Sequence, residues 1–335
     1  MDQKQAPMQR PGAQGDSVAV SIVIPARNEE ENLGALLASV AALDFPRERL
    51  EILVVDHESS DRTADIARRA GARVLEKKGG TISSARNFGA SKAEGEILAF
   101  LDADCTVAED WLDKALPYFA DPQVGAVGSY HIVPRDPPTW VRKVLQKQVD
   151  ARPKLTSAKW LPSGNMLIRR DVFRECRGFD DSLSTCEDVD LSYRIAHKYK
   201  LVADAGIRCW HHGEPVTLRD VFWKELWRGH DNFLGAVRHG FKLAEIPSLV
   251  LPFYCIVTLG LFLASPVIGA LNSWGTLAIF FWTGVSFFLP VVAVASLTGI
   301  RSGDLRYVPQ LTGFYAVYFL ARGLAPFYRW RFISQ

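Results

Sequence analysis

From Ile246 to Ile300 the chain runs for 55 residues without an Asp, Glu, Lys or Arg. It carries 39 basic and 37 acidic residues in 335, so a window of that length would hold about 12 charges by chance. A soluble domain does not leave such a gap. Within it, Ser248 to about Leu271 and about Thr276 to Leu297 are each long enough to cross ~30 Å of hydrocarbon. Asn272-Ser-Trp-Gly275 reads as a tight turn between them. Tyr307 to Tyr328 is a weaker third segment, interrupted by Arg322, and is expected to be re-entrant or interfacial. Arg238 and Lys242 precede the first span, and Arg301 and Arg306 follow the second. Basic flanks stay on the cytoplasmic side, which predicts an integral protein of the inner or plasma membrane with everything before residue 244 in the cytoplasm. A full third span would put Arg329 and Arg331 outside, against that rule.

The formal net charge of +2 argues against a nucleic-acid binder held by a large basic surface. Five cysteines, at 105, 176, 186, 209 and 255, form no CxxC pair. They predict free thiols in a reducing compartment rather than a disulfide framework or a zinc site. Residues 1–17 are polar and rich in Gln, Pro and Gly, with no apolar core of a signal peptide; they read as a disordered tail.

Between these ends the chain alternates apolar runs with helical spacing. Val18–Ile24 and Leu50–Val55 read as buried strands and Ala72–Leu75 and Glu96–Leu101 as two further strands, separated by helices over Asn28–Ala42, Thr63–Ala70 and about Ser83–Ala93. That rhythm predicts an α/β domain with a mostly parallel central sheet and a nucleotide-sized crevice at the strand C-termini. Further strands are expected at Val124–Val133, Asn165–Ile168 and within Leu201–Cys209, a helix at Glu187–Lys198, and amphipathic interfacial helices over Leu218–Phe241. A C-terminal helical membrane region follows from residue 244. Cutting after about residue 243 is expected to leave a folded domain.

Four features carry chemistry. Asp102-Ala-Asp104 closes the fourth strand with two carboxylates, hard oxygen ligands for Mg²⁺ or Mn²⁺ held against a diphosphate; such pairs also cap helices. Glu187-Asp188 opens a helix, as dipole-complementing caps or as a fixed general base. Asp56 ends the second strand, with Arg86 in the following loop–helix region: a base- or ribose-binding carboxylate and a phosphate-neutralising cation, or a local pair. Trp210-His211-His212 could complete a metal shell or form a surface pair.

In order along the chain, Ile-Pro25-Ala-Arg-Asn28-Glu29, Val-Val-Asp56, Ala85-Arg-Asn-Phe-Gly89, Asp102-Ala-Asp104, Ser163-Gly-Asn165, Gly178-Phe-Asp180 and Glu187-Asp188 stand in register. This succession resembles the family 2 glycosyltransferases of the GT-A fold over roughly residues 18–240, within a catalytic domain expected over 18–243. The resemblance implies an inverting, metal-dependent enzyme using nucleotide-sugars, most often UDP-sugars. It implies that Pro25, Arg27, Glu29, Asp56, Arg86, Asp102, Ala103, Gly164 and Asn165 line the donor site. Asp104 would hold the metal with His211 or His212, His212 being preferred; Asp188 would be the base, and Glu187 would support the acceptor or the helix start. Two departures stand out. The common Asp-Asp-Gly-Ser motif reads Asp56-His-Glu-Ser59 here, and Trp227-Arg228 inverts the Arg-Trp order of processive members, so a single transfer is expected. Trp223, Trp227 and Arg228, with Arg142, Lys143 and Lys147, are expected to face headgroups and bring a lipid- or polyprenyl-linked acceptor to the site. A sugar nucleotidyltransferase is the rival enzyme, and a membrane scaffold with an inactive transferase domain is the non-enzymatic rival.

Overall fold

The computed structural model describes residues 18–183, 185–230, 246–270 and 276–328. The expected tail, Arg238, Lys242, the Asn272 turn, Arg329 and Arg331 lie outside them.

By packing, the chain forms two units interleaved in sequence rather than consecutive. The first comprises residues 1–131, 154–181 and 191–210; the second comprises 132–153, 182–190 and 211–335.

In the first unit, the apolar runs become strands β1 (Val20–Ala26), β2 (Leu50–Asp56), β3 (Arg73–Glu76) and β4 (Ile97–Leu101). Among the described residues they join β6 (Val124–Gly128), β7 (Leu155–Ser157), β8 (Asn165–Arg169) and β9 (Lys200–Asp204) in one sheet of order β3-β2-β1-β4-β8-β6-β9-β7. The β3-β2-β1-β4 half is parallel, β8 runs antiparallel to both its neighbours, and β6 pairs in parallel with β9. A short second sheet pairs β5 (Cys105–Val107) with β10 (Cys209–His211).

Both faces of the large sheet are covered, which is why its strands read as continuous apolar runs. On one face Ile22, Ile24 and Val54 meet Leu33, Leu36 and Val40 of α1 (Leu33–Ala41), Ala67 of α2 (Thr63–Arg69), and Trp111 and Leu112 of α4 (Trp111–Ala115). On the other, Val23, Leu53 and Phe100 meet Ala85 of α3 (Ile82–Lys92), Phe173 of α6 (Arg170–Glu175), and Leu191 and Ile195 of α7 (Glu187–Ala196). Adjacent residues of one strand thus serve opposite layers.

The expected helix from Asn28 begins only at Leu33. Asn28 takes the left-handed conformation (φ 53), and residues 28–30 are drawn into a loop by bonds to Ser59, Asp61 and Thr63. The strand expected over Val124–Val133 stops at Gly128, and the one expected over Leu201–Cys209 is split. Asp204 accepts from the N–H of Gly206 (2.8 Å) and Ile207 (3.0 Å), turning the chain between β9 and β10.

The second unit contains α5 (Trp140–Asp150), α8 (Leu218–Arg228), α9 (Ile246–Ala270), α10 (Thr276–Arg301) and α11 (Val308–Leu324). Helix α8 starts in a capping box, Thr217 and Asp220 each accepting from the other's backbone N–H. Stretches Ser248–Ile268 and Leu277–Arg301 are long and apolar enough to cross a membrane. Their apolar side chains are largely bare: Leu277 is 84% exposed, Val267 67% and Leu289 65%, as a lipid-facing surface requires and a soluble core helix does not. Helix α11 has 17 residues, fewer than the roughly 20 of a full span. It organises the packing of this unit. Leu311 and Phe314 pack with Val141 and Val144 of α5, Val221 of α8 and Ala295 of α10, while Phe319 packs with Cys255 of α9 and Phe287 of α10.

Candidate active site

The parallel pairing of β1 with β2 sets Ala26 opposite Asp56, so the loops after Pro25 and Asp56 leave the sheet side by side. They are laced together. Glu29 N–H donates to Thr63 Oγ1 (2.8 Å), Glu30 N–H to Asp61 Oδ2 (3.1 Å) and Ser60 N–H to Asn28 Oδ1 (2.8 Å). Asp61 was not singled out in the sequence, although Asp61-Arg-Thr63 carries the short-range capping signature that would have flagged it. Asp56 is buried, and its Oδ1 has no hydrogen-bond partner among the described residues. Glu58 stands where the related motif has glycine and takes φ 58; its Oε2 accepts from Gly79 N–H (3.0 Å), which holds the turn in that conformation. Arg27 is exposed and Pro25 buried.

Helix α3 is capped by Thr81, whose hydroxyl accepts from Ser84 N–H. It carries Arg86 into the interior, where the guanidinium donates to Asp102 Oδ1 (2.6 Å) and lies 5.6 Å from the centre of the Phe179 ring. Arg86, expected to line the nucleotide site or to pair locally, forms an ion pair with the first carboxylate of Asp102-Ala-Asp104. The neighbouring Asn87 clamps the chain around Gly178. Its Oδ1 accepts from Phe179 N–H (2.9 Å), and its amide donates to Phe179 O (2.8 Å) and Asp181 Oδ1 (2.7 Å). Gly178 has φ 64, and a Cβ there would lie 2.5 Å from Asn87 Oδ1. Burial pushes the Glu29 carboxyl above its ordinary range; the Asn32 amide opposes this, and the negative charges of Asp102 and Asp61 add to it. Glu29, Asp61, Asp102 and Arg86 therefore form one electrostatic cluster at the ends of β1, β2 and β4.

Gly164 passes so close to Asp102 that a Cβ would sit 2.4 Å from its Oδ2. Asn165 differs from its expected donor contact. Fully buried, it accepts from Trp111 Nε1 (2.9 Å) and donates to Ser129 Oγ (2.7 Å) and Ile207 O (3.2 Å). Its amide holds the interior behind the carboxylate turn. Ala103 is likewise buried, while Asp104 is partly exposed.

The remaining candidates belong to the second unit. Glu187 and Asp188 form the first turn of α7, with Cys186 before them in the left-handed region (φ 62). Asp188 Oδ1 accepts from Val189 N–H (2.8 Å). Burial, with the nearby Arg142 charge, lowers the His212 pKa and favours the neutral imidazole. Arg142, expected at headgroups, is buried and donates to the backbone oxygens of Asp136, His212 and Glu214. Lys147 also turns inward, 3.3 Å from Asp304 and over the Tyr307 ring. Trp223 and Trp227 are exposed as expected. Arg228 pairs with Glu225 (3.0 Å). Phe222, Trp223, Leu226, Leu324, Phe327 and Tyr328 line an apolar cavity of about 310 Å³.

Residues 21–177 match glycosyl transferase family 2. Curated relatives include the glycosyltransferase AglE of Haloferax volcanii, 29% identical over 195 residues, covering 56% of this chain and 62% of the relative. The β-monoglucosyldiacylglycerol synthase of Trichormus variabilis is 29% identical over 197 residues, covering 54% and 42%. A 4,4'-diaponeurosporenoate glycosyltransferase of Staphylococcus haemolyticus is 38% identical over 126 residues, covering 34% and 33%. The chain spans less than two thirds of the length of these relatives. Among solved structures, a mannosyltransferase from Pyrobaculum calidifontis, in complex with GDP-Man and Mn²⁺, superposes with a TM-score of 0.59 at 19% identity, covering 96% of this chain and 91% of that one. Residues 21–177 therefore carry a glycosyl transferase family 2 domain with a GT-A structural neighbour, and of the C-terminal helices two are apolar enough to span a membrane.

Proposed function

We propose that the protein transfers one sugar from a nucleotide-sugar of the UDP-sugar class to a lipid- or polyprenyl-linked acceptor at a membrane surface, with inversion at the anomeric carbon and a divalent cation as cofactor. The observation that carries this reading is the cluster at the ends of β1, β2 and β4. There Asp56 keeps a buried carboxyl oxygen for an N–H or O–H donor from outside the described chain, as a base or ribose would supply. The carboxyl ends of parallel strands are where doubly wound sheets take nucleotides.

Asp102 and Asp104 fit Mg²⁺ or Mn²⁺. Both offer hard oxygen ligands, and Asp102 is pinned by Arg86 and by the close approach of Gly164. A cation held there would neutralise the donor's phosphates. His211 or His212 is the remaining candidate ligand; burial and Arg142 lower the His212 pKa and favour its neutral form.

Asp188 accepts the proton of the acceptor hydroxyl. The hydroxyl oxygen bonds to the anomeric carbon as the carbon–oxygen bond to the diphosphate breaks, and the electron pair leaves with the diphosphate. A single displacement of this kind inverts the centre and needs no covalent nucleophile. Arg86 keeps Asp102 in place without a change in its own charge.

The acceptor reading is supported by the apolar cavity between Phe222 and Tyr328, by exposed Trp223 and Trp227, and by the bare apolar helices α9 and α10. Such a surface suits the membrane interface, with the catalytic residues on its cytoplasmic side. Two relatives have names that carry a diacylglycerol and a diaponeurosporenoate. The test is a panel of UDP-, GDP- and other nucleotide-sugars against the detergent-purified full chain, read by thermal shift and nucleotide release, then by sugar transfer to polyprenyl phosphate or diacylglycerol in liposomes. Absence of both shift and release across the panel would sink the reading.

A further inference from the structure

Two cysteines and a histidine that the transfer chemistry does not use meet in the first unit. Cys105 opens β5 immediately after Asp104, Cys209 opens β10, the strand paired with β5, and His131 lies three residues beyond β6. Both thiols are fully buried. Their sulfurs and a ring nitrogen of His131 all lie within 4.8 Å of one another. We propose that Cys105, His131 and Cys209 bind one thiophilic divalent cation, Zn²⁺, at a site beside the carboxylate pair.

The donor set argues for this ion. Two sulfurs and an imidazole suit Zn²⁺, whereas Mg²⁺ and Mn²⁺ prefer oxygen, so the two neighbouring sites sort cations by ligand softness. The spacing argues for it too. Around a tetrahedral zinc, with bonds of about 2.3 Å to sulfur and about 2.0 Å to nitrogen, ligand atoms stand roughly 3.3–3.8 Å apart. Side chains already within 4.8 Å close that difference by small rotations, without moving the strands. The point a Cβ on Gly164 would occupy is 2.9 Å from His131 Nε2 and 2.4 Å from Asp102 Oδ2, so the imidazole and the carboxylate border the same gap.

Binding converts both thiols to thiolates. Two Zn–S bonds and one Zn–N bond form, and two protons leave for solvent. The ion would staple β5 to β10 and hold the turn in which Cys105 N–H donates to Asp102 O (3.0 Å). It would thus stiffen the segment that presents Asp102 and Asp104. Sequence spacing excluded zinc because the three ligands are far apart along the chain; strand pairing assembles them.

The test uses the full chain in detergent under reducing conditions, with excess Mg²⁺ to fill oxygen-ligand sites. Co²⁺ is expected to bind at one per chain with proton release and thiolate charge-transfer absorption in the near ultraviolet, and Zn²⁺ to displace it and abolish that absorption without further proton release. Cys209→Ser is expected to weaken Zn²⁺ binding at least ~10-fold, the lower range even for lost outer-shell partners, while Asp104→Asn leaves the absorption intact. X-ray absorption of the zinc-loaded wild-type chain needs no variant to fold and is expected to show a sulfur-containing shell. An all-oxygen shell, no thiolate absorption, or loss of binding in Asp104→Asn but not in Cys209→Ser would each overturn the proposal.

Discussion

Arg86 Nη2 donates to Asp102 Oδ1 at 2.6 Å from a side chain only 2% exposed, while Asp102 is 25% exposed. The buried partner is thus the cation, and the half-open one is the carboxylate that faces the crevice. A guanidinium cannot give up its proton, so it fixes the carboxylate without altering its own charge.

Arg86→Ala is expected to destabilise the fold by about 2 kcal/mol. That is less than the 3–5 kcal/mol typical of breaking a fully buried pair, because water reaches Asp102. Thermal unfolding checks it. If Arg86 contacts phosphate instead of serving Asp102, nucleotide affinity will fall with no change in unfolding temperature.

Glu29 gives a pH signature. Burial raises its carboxyl above the ordinary 4.5, so the neutral form is the one the fold favours. The stability tied to that form is fully present below the unfolded value and is lost as pH rises through the folded one. Glu29→Gln is neutral throughout. Its unfolding temperature should match wild type below the ordinary value of 4.5, exceed it as pH rises above that, and level off once Glu29 is ionised in the folded protein, while nucleotide binding weakens. Parallel melting curves across that range would remove the burial argument.

Much of this was open to sequence reasoning. Two apolar runs, Val18–Ile24 and Leu50–Val55, marked buried strands, and Asp56 and Asp102 could be placed at strand ends from the residues alone; β3, with Arg73 and Glu76 exposed, lies at the sheet edge. What escaped depends on contacts between distant segments. Nothing in the sequence says that Arg142, in a basic helix, turns inward onto the carbonyls of His212 and Glu214. Nothing local says that Asn165 spends its amide on Trp111 and Ser129. Short elements such as β5 and β7, three residues each, carry too few positions for a period to register.

The base assignment rests on the first turn of α7. Asp188→Asn is expected to cut sugar transfer at least ~10²-fold, the lower range for a lost general base, with nucleotide affinity retained. Near-wild-type turnover in the purified variant would take Asp188 out of that role.

Removing divalent cations with EDTA is expected to abolish transfer, and Mn²⁺ or Mg²⁺ to restore it. Asp104→Ala should lose the metal-dependent part of nucleotide affinity measured by calorimetry. Affinity that still responds to Mn²⁺ in that variant would place the hard cation elsewhere.

The charge that made the third apolar segment ambiguous has a partner. Arg322 of α11 donates to Glu225 of α8 at 2.8 Å, and Arg228 reaches the same carboxylate at 3.0 Å. Glu225 is 8% exposed and Arg322 17%. Burial pushes the Glu225 carboxyl up, but the two guanidiniums prevail and hold it below its usual range. Leu226 packs beside this pair against Ala321 and Ala325, and Val141, Val144 and Val221 bury themselves on Leu311 and Phe314. A cut after residue 243 therefore does more than release an anchor: it strips α5 and α8 of their covering and leaves Glu225 facing Arg228 alone. The truncated chain is expected to aggregate, contrary to the expectation of a detachable membrane region. The pair itself is measurable. Glu225→Gln and Arg322→Gln should each destabilise the protein by about 3 kcal/mol, since each strands a buried charge. The double variant should be less damaged than the sum, with a coupling of about 1–3 kcal/mol in a double-mutant cycle followed by thermal unfolding in detergent. Additive losses would mean that Arg322 is neutralised by something other than Glu225, and the argument that α11 is fastened to α8 by charge would fail.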